Sequence, residues 1–291
     1  MKKKTIMLIA SILLFAYFTN GAAQENFILD TEYYPPSGEV RNAAIMILGG
    51  SEGGMPKSNV ERFTSKGYPC FKVGYFGTEH TPGHLEMIPL EYFEEVIKSF
   101  KSQPEVGDKK IVIFGGSKGG ELALLVASMY KQIEGVIVRV PGSVVFQGIG
   151  GPLRTSSWSY KGQPLPFVPY FKPFDYSKVV NNRWVELYRL SITQTEAVEK
   201  AAIKVENING PILILTGRED TMWPSSQMGE MIIKRLKENN FPHWYEHIAY
   251  ENAGHSLNEK GLVGGTEEGN KKARIDSQER IFDFLCRLSE E

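Results

Sequence analysis

Residues 110–120 read KIVIFGGSKGG, a run too apolar on both faces to lie at a sheet edge, broken by glycines around one serine. The pattern predicts a strand over 110–114, a tight turn through Gly115-Gly116-Ser117-Lys118-Gly119-Gly120, and a helix over 121–130. Glycines two residues before and two after Ser117 remove Cβ atoms that would collide where strand reverses into helix. They also let the serine hold a strained conformation with Oγ projecting. The helix aims its first N–H groups at the same point. A phosphate-binding loop ranks well below this reading, because the spacing G-x-x-x-x-G-K-[ST] is absent and the lysine follows the serine.

Working outward, short apolar runs alternate with helical periodicity, which is the pattern of an α/β chain with a mostly parallel central sheet and helices on both faces. Residues 43–48 (AAIMIL), 68–73, 135–140, 211–216 (PILILT) and 244–249 read as strands. A helix over 90–100 places Tyr92, Phe93, Val96, Ile97 and Phe100 on one face. An amphipathic helix over 270–288 closes the chain with Ile275, Ile281, Phe282, Phe284 and Leu285. Residues 141–190 break the rhythm: they are rich in glycine, proline and aromatics and have no period, as expected of a lid or cap inserted in the domain.

A serine hydroxyl needs a base, and His80, His84, His243, His247 and His255 are available. His255 is best placed, in the small-residue loop Asn252-Ala253-Gly254-His255-Ser256 between the last strand and the closing helix. Asp220, in the loop after the 211–216 strand, fits the acid that orients the base and completes the chain order Ser, Asp, His, with Glu219 the fallback. The oxyanion formed on attack requires two preorganised donors. The Lys118 N–H supplies one, and Ser51, in the Gly49-Gly50-Ser51-Glu52-Gly53-Gly54 loop, supplies the other, with Glu52 the alternative. Trp158 and Phe171 in the insertion, with Glu52 and Trp223, are the expected substrate-binding side chains.

Lys+Arg total 33 against Asp+Glu 34, a net charge of -1 that calls for no nucleic-acid partner. Cys70 and Cys286 are too few for a disulfide framework or a four-ligand zinc site, so a structural metal is not expected, and the serine, histidine and aspartate chemistry implies no metal or organic cofactor. Lys2, Lys3 and Lys4, the apolar run 6–18 and the small residues Gly21-Ala22-Ala23 read as a secretory signal over 1–23, followed by one domain over 24–291. Its loss would leave a periplasmic or secreted protein of charge -4. The apolar run is shorter than the roughly 20 residues a bilayer span needs, so no stable membrane span is expected after cleavage.

The pieces GGSEGG (49–54), IPLEYF (88–93), GGSKGGELAL (115–124), INGPILILTGREDTMWPS (208–225), AGH (253–255) and GGTEEGNKKARIDSQERIFDFL (264–285) resemble one family. It is the acyl-CoA thioesterase and bile acid-CoA:amino acid N-acyltransferase family, in its C-terminal, dienelactone-hydrolase-like α/β-hydrolase domain. The resemblance implies that Ser117, Asp220 and His255 occupy the triad positions. Members that transfer acyl groups to amino acids tend to use cysteine where serine stands here, so hydrolysis is favoured. Longer members carry an N-terminal β-sandwich that helps form the acyl-CoA site. The roughly twenty residues from Gln24 to the first sheet strand are too few for such a domain of about 100 residues.

The sequence thus predicts an exported serine hydrolase that cleaves a small-molecule carboxylic ester or thioester through an acyl-enzyme. Two other classes stay open: an acyltransferase moving the acyl group to an amine, and a non-catalytic binding protein on the same scaffold.

Overall fold

The computed structural model of the protein describes residues 27–180, 183–261 and 263–290, so the secretory-signal expectation for 1–23 lies outside the described residues. Their strands are β1 (Asp30–Tyr34), β2 (Ala43–Leu48), β3 (Cys70–Gly74), β4 (Ile88–Pro89), β5 (Lys110–Gly116), β6 (Ile133–Arg139), β7 (Trp158–Tyr160), β8 (Gln163–Pro164), β9 (Ile212–Gly217) and β10 (Tyr245–Tyr250). The helices are α1 (Glu61–Thr64), α2 (Glu91–Lys101), α3 (Lys118–Met129), α4 (Val185–Ser191), α5 (Thr195–Ala201), α6 (Ser225–Glu238) and α7 (Glu267–Glu290).

Seven strands make the main sheet in the order β1-β3-β2-β5-β6-β9-β10. β1 pairs antiparallel with β3 at one edge, and the other pairings in this sheet are parallel. Parallel strands covered on both faces must be apolar throughout. In β2, Ala44, Met46 and Leu48 enter one core while Ala43, Ile45 and Ile47 enter the other. α2, α3 and α6 cover the first face, with Phe93, Val96, Leu122, Met228 and Ile232 buried there. α1 and α7 cover the second with Phe63, Ile281, Phe284 and Leu288. Each large side chain so buried contributes about 1.5–3 kcal/mol.

From β2 the chain crosses to β3 on one side, whereas β5 pairs on the other. The loops after β2 and β5 therefore diverge at their carboxyl ends and leave the kind of crevice where α/β sheets place ligands.

Three features differ from the sequence reading. α3 starts at Lys118 rather than Glu121, because close backbone packing overrides the low helix propensity of Gly119 and Gly120. β1 was not foreseen: DTEYY is a half-buried edge strand with no apolar alternation. The 141–190 stretch is not a separate layer above the core. Val144, Val145, Phe146, Trp158, Val168 and Tyr188 are buried in the first cluster, and β7 joins β4 and β8 in a small second sheet.

Candidate active site

Ser117 lies between the end of β5 and the first residue of α3 with φ 55° and ψ -125°, a conformation that a non-glycine residue holds only under constraint. The constraint comes from its main chain. Its N–H donates to the Arg139 carbonyl at 2.9 Å, and its own carbonyl accepts from the Gly120 and Glu121 N–H groups. The flanking glycines are required by close approach: a Cβ on Gly115 would stand 2.1 Å from the Gly119 carbonyl oxygen, and one on Gly119 would stand 2.0 Å from that of Gly49. The start of α3 is thus driven against the ends of β2 and β5.

Ser117 Oγ lies 2.9 Å from His255 Nε2, and His255 Nδ1 lies 2.8 Å from Asp220 Oδ2. Because the carboxylate accepts, Nδ1 carries the ring proton and Nε2 turns a lone pair to the Ser117 hydroxyl. Asp220 is itself fixed. Its Oδ1 accepts the Met222 and Trp223 N–H groups at 2.9 and 3.2 Å, and its Oδ2 accepts the Ser225 hydroxyl at 2.6 Å. The Asp220 side chain is 1% exposed and that of His255 13%, so the ring edge can be reached from solvent while the carboxylate cannot. Glu219 faces solvent. The loop that carries His255 is held where it begins, by Asn270 Oδ1 on the Gly254 N–H and by the His255 N–H on the Val263 carbonyl.

Other histidines are engaged elsewhere. His80 Nδ1 lies 2.7 Å from Asp30 Oδ1, and the hydrogen bond to that carboxylate holds the imidazole above its ordinary pKa. His247 Nε2 meets Thr216 Oγ1 at 2.8 Å, and burial pushes its pKa down.

The Lys118 N–H is the first of α3 and belongs to the set that a helix cannot satisfy internally. The glycine loop after β2 abuts it: a Cβ on Gly50 would lie 3.6 Å from Ser117 Cβ. Ser51 is exposed beside it, and Glu52 folds back so that its Oε1 accepts the Gly50 N–H at 3.1 Å. Gly50, quoted in the sequence only as part of the glycine loop, leaves room for the folded-back Glu52 carboxylate, whose Oε2 a Cβ would approach to 2.8 Å.

The Lys118 side chain turns the other way, into the core. Its Nζ donates to Glu121 Oε1 at 2.6 Å with both side chains almost wholly enclosed. That oxygen also accepts the Trp158 indole N–H at 2.8 Å and the Phe146 N–H at 3.2 Å. Burial pushes the lysine pKa down and the glutamate pKa up, and each partner opposes the other's shift. The expected substrate-binding role of Trp158 is corrected here: with its N–H satisfied by Glu121 the ring is 0% exposed and acts as core. Phe171 is half-buried, and its N–H donates to Ser191 Oγ of α4 at 3.0 Å. Trp223 is buried against the His255 ring, backed by Phe146 and Tyr188. Among the described residues no group of three or more His, Cys, Asp or Glu side chains is disposed to hold a metal.

Residues 88–259 match the family model described as BAAT / Acyl-CoA thioester hydrolase C terminal. The chain belongs to this family. Relatives include acyl-coenzyme A thioesterase 1 of Homo sapiens, 31% identical over 214 residues covering 73% of this chain and 48% of the relative. Bile acid-CoA:amino acid N-acyltransferase of Mus musculus is 28% identical over 238 residues, covering 80% and 53%. The chain thus spans about half the length of the curated relatives it matches. Solved structures similar to it include the alpha/beta hydrolase GrgF of Penicillium sp. sh18, with TM-score 0.54, 18% identity and coverage of 90% of this chain and 95% of that one. Another is acylaminoacyl peptidase of Pyrococcus horikoshii, with TM-score 0.58, 17% identity and coverage of 88% and 39%. The fold is that of the α/β-hydrolases.

Proposed function

We propose that the protein is a serine hydrolase of carboxylic esters or thioesters that works through an acyl-enzyme. The observation that carries this reading is the hydrogen-bonded chain from Ser117 Oγ through the His255 ring to Asp220. His255 Nε2 takes the hydroxyl proton as Oγ bonds to the acyl carbon. Asp220 keeps the ring in the required tautomer and stabilises the imidazolium. The Lys118 and Ser51 N–H groups hold the oxyanion, each such donor supplying about 2.7–4 kcal/mol of transition-state stabilisation. Collapse expels the alcohol or thiol, which takes the proton from His255. The histidine then deprotonates water, whose oxygen attacks the acyl carbon, and the acid departs as Oγ regains a proton.

The substrate class follows the relatives, whose names include acyl-coenzyme A thioesterase. Export to the periplasm or outside the cell follows from the basic, apolar and small-residue order of residues 1–23. The protein lacking residues 1–23, treated with a fluorophosphonate and digested, is expected to carry the label on Ser117. Ser117→Ala is expected to abolish turnover of p-nitrophenyl esters and acyl-CoA without loss of fold. Full activity in that variant overturns the reading.

A further inference from the structure

Arg139, the last residue of β6, stands opposite Gly116 in the β5–β6 register and one residue away from Ser117 across the pair. Its carbonyl accepts the Ser117 N–H at 2.9 Å. From the same residue Nη2 donates to the Ser256 carbonyl at 2.8 Å and the Leu257 carbonyl at 3.3 Å, the two positions after His255. One residue therefore grips the nucleophile through its main chain and the far side of the base loop through its side chain. The next residue adds a third hold: Val140, strained at φ 43°, presents its carbonyl to the Trp223 indole N–H at 3.0 Å, and Trp223 packs on the His255 ring.

The guanidinium belongs to a half-buried residue. Among the described residues no carboxylate pairs with it, and its buried Nε has no partner. Burial, with Arg62 nearby, pushes its pKa down to about 10. A charge drawn partly out of water without a counter-ion bears a desolvation cost that no ion pair offsets. A lone pair of backbone carbonyls is a poor reason to keep one, unless fixing those carbonyls matters to the chemistry. The planar fork suits it, because one nitrogen reaches two successive carbonyls in a fixed direction. The loop's beginning is tied to α7 by Asn270, and Arg139 ties its continuation to the nucleophile's own strand pair.

We infer that Arg139 is a positioning residue that sets the distance between Ser117 and His255 by joining the nucleophile turn to the base loop. This rests on the hydrolase reading above. Arg139 touches no reacting atom, so its loss misplaces the pair without altering substrate contacts, and the defect falls on kcat.

The test uses the protein lacking residues 1–23, with p-nitrophenyl butyrate turnover and the rate of fluorophosphonate attachment to Ser117 as readouts. Arg139→Gln keeps the aliphatic stem but ends two bonds short of the carbonyls, and Arg139→Ala opens a guanidinium-sized space. Both are expected to lower kcat and the labelling rate about tenfold to a hundredfold. KM is expected to stay within about twofold, since substrate binding is untouched. Methylguanidinium below denaturing concentration is expected to raise kcat of Arg139→Ala severalfold and saturably, whereas sodium chloride at the same ionic strength does not. A folded Arg139→Gln with the original kcat, a loss confined to KM, or a folded Arg139→Ala that methylguanidinium does not rescue overturns the inference. Should Arg139→Ala not fold, Arg139→Gln decides. A parent protein that neither turns over the ester nor labels at Ser117 overturns the hydrolase reading, and the inference falls with it. The variant-to-parent ratio tests Arg139 alone.

Discussion

The Trp223 ring meets the His255 imidazole edge-on, centroids 6.0 Å apart and planes at 72°, while its indole N–H is held by the Val140 carbonyl. The histidine thus leans on a side chain anchored to the residue that follows β6. Trp223→Phe keeps an aromatic wall but leaves that carbonyl without its donor. The expected result is a loss of about 1–3 kcal/mol of unfolding free energy, measured by urea denaturation. A several-fold fall in kcat accompanies it as the imidazole loosens. An unchanged denaturation midpoint would show that the Val140 bond contributes nothing.

Asp220 accepts four hydrogen bonds, from the Met222 and Trp223 N–H groups, the Ser225 hydroxyl and the His255 ring. Asp220→Asn preserves shape but can present N–H where an acceptor stood, which favours the wrong imidazole tautomer. The expected loss is about 10⁴-fold in kcat with little change in fold, read from ester turnover and circular dichroism. Glu219→Gln, at the solvent-facing neighbour, is expected to leave kcat unchanged.

The Lys118–Glu121 pair gives a stability prediction separable from catalysis, because the oxyanion donor assigned to Lys118 is its main chain. Glu121→Ala strands a buried ammonium together with the Trp158 and Phe146 N–H groups, at an expected cost of about 3–5 kcal/mol. Glu121→Gln keeps an acceptor for the two N–H groups yet leaves the lysine charge unmatched. Adding Lys118→Met to it removes that charge and is expected to recover stability. A double-mutant cycle in urea checks this, and additive losses would mean that the two charges do not interact.

What the sequence made legible is what repeats along a strand or punctuates its end. β2, β5 and β9 announce themselves as apolar runs buried on both faces; Ser117 directly follows β5, Asp220 follows β9 within a short loop, and His255 follows the half-exposed edge strand β10. Their meeting was readable because fold topology alone brings those loops to one edge. Contacts made by single side chains across the chain were not readable. Arg139 ends a strand that reads IEGVIVR, and nothing local says that its guanidinium reaches residues 256 and 257. Trp158 looked like pocket lining because an aromatic-rich stretch without period carries no face information. Its burial depends on Glu121, thirty-seven positions away. Ile275, placed on the apolar face of the closing helix, is 45% exposed in α7, where the buried apolar side chains are Ala273, Ile281, Phe284, Leu285 and Leu288.

Acid sensitivity has one assignable source in the Glu206–Arg235 pair, which fastens the turn before β9 to α6 through two hydrogen bonds. Burial pushes the Glu206 carboxyl up, but the arginine's hydrogen bonds and charge outweigh it, and the net direction is below the ordinary value. A depressed carboxylate pKa means that the unfolded chain binds a proton more readily than the native one. The contribution is therefore present in full above the unfolded glutamate pKa, near 4.3, and is lost as pH falls through the lower native value. Both side chains keep some solvent contact, at 17% and 28%, so the pair is expected to contribute roughly 1 kcal/mol. Thermal or urea unfolding of the parent and Glu206→Gln should differ by that amount at pH 7 and converge as pH falls through the depressed native value. A difference that persists unchanged down to the acid end of the folded range would place its origin in packing rather than in the ionised pair.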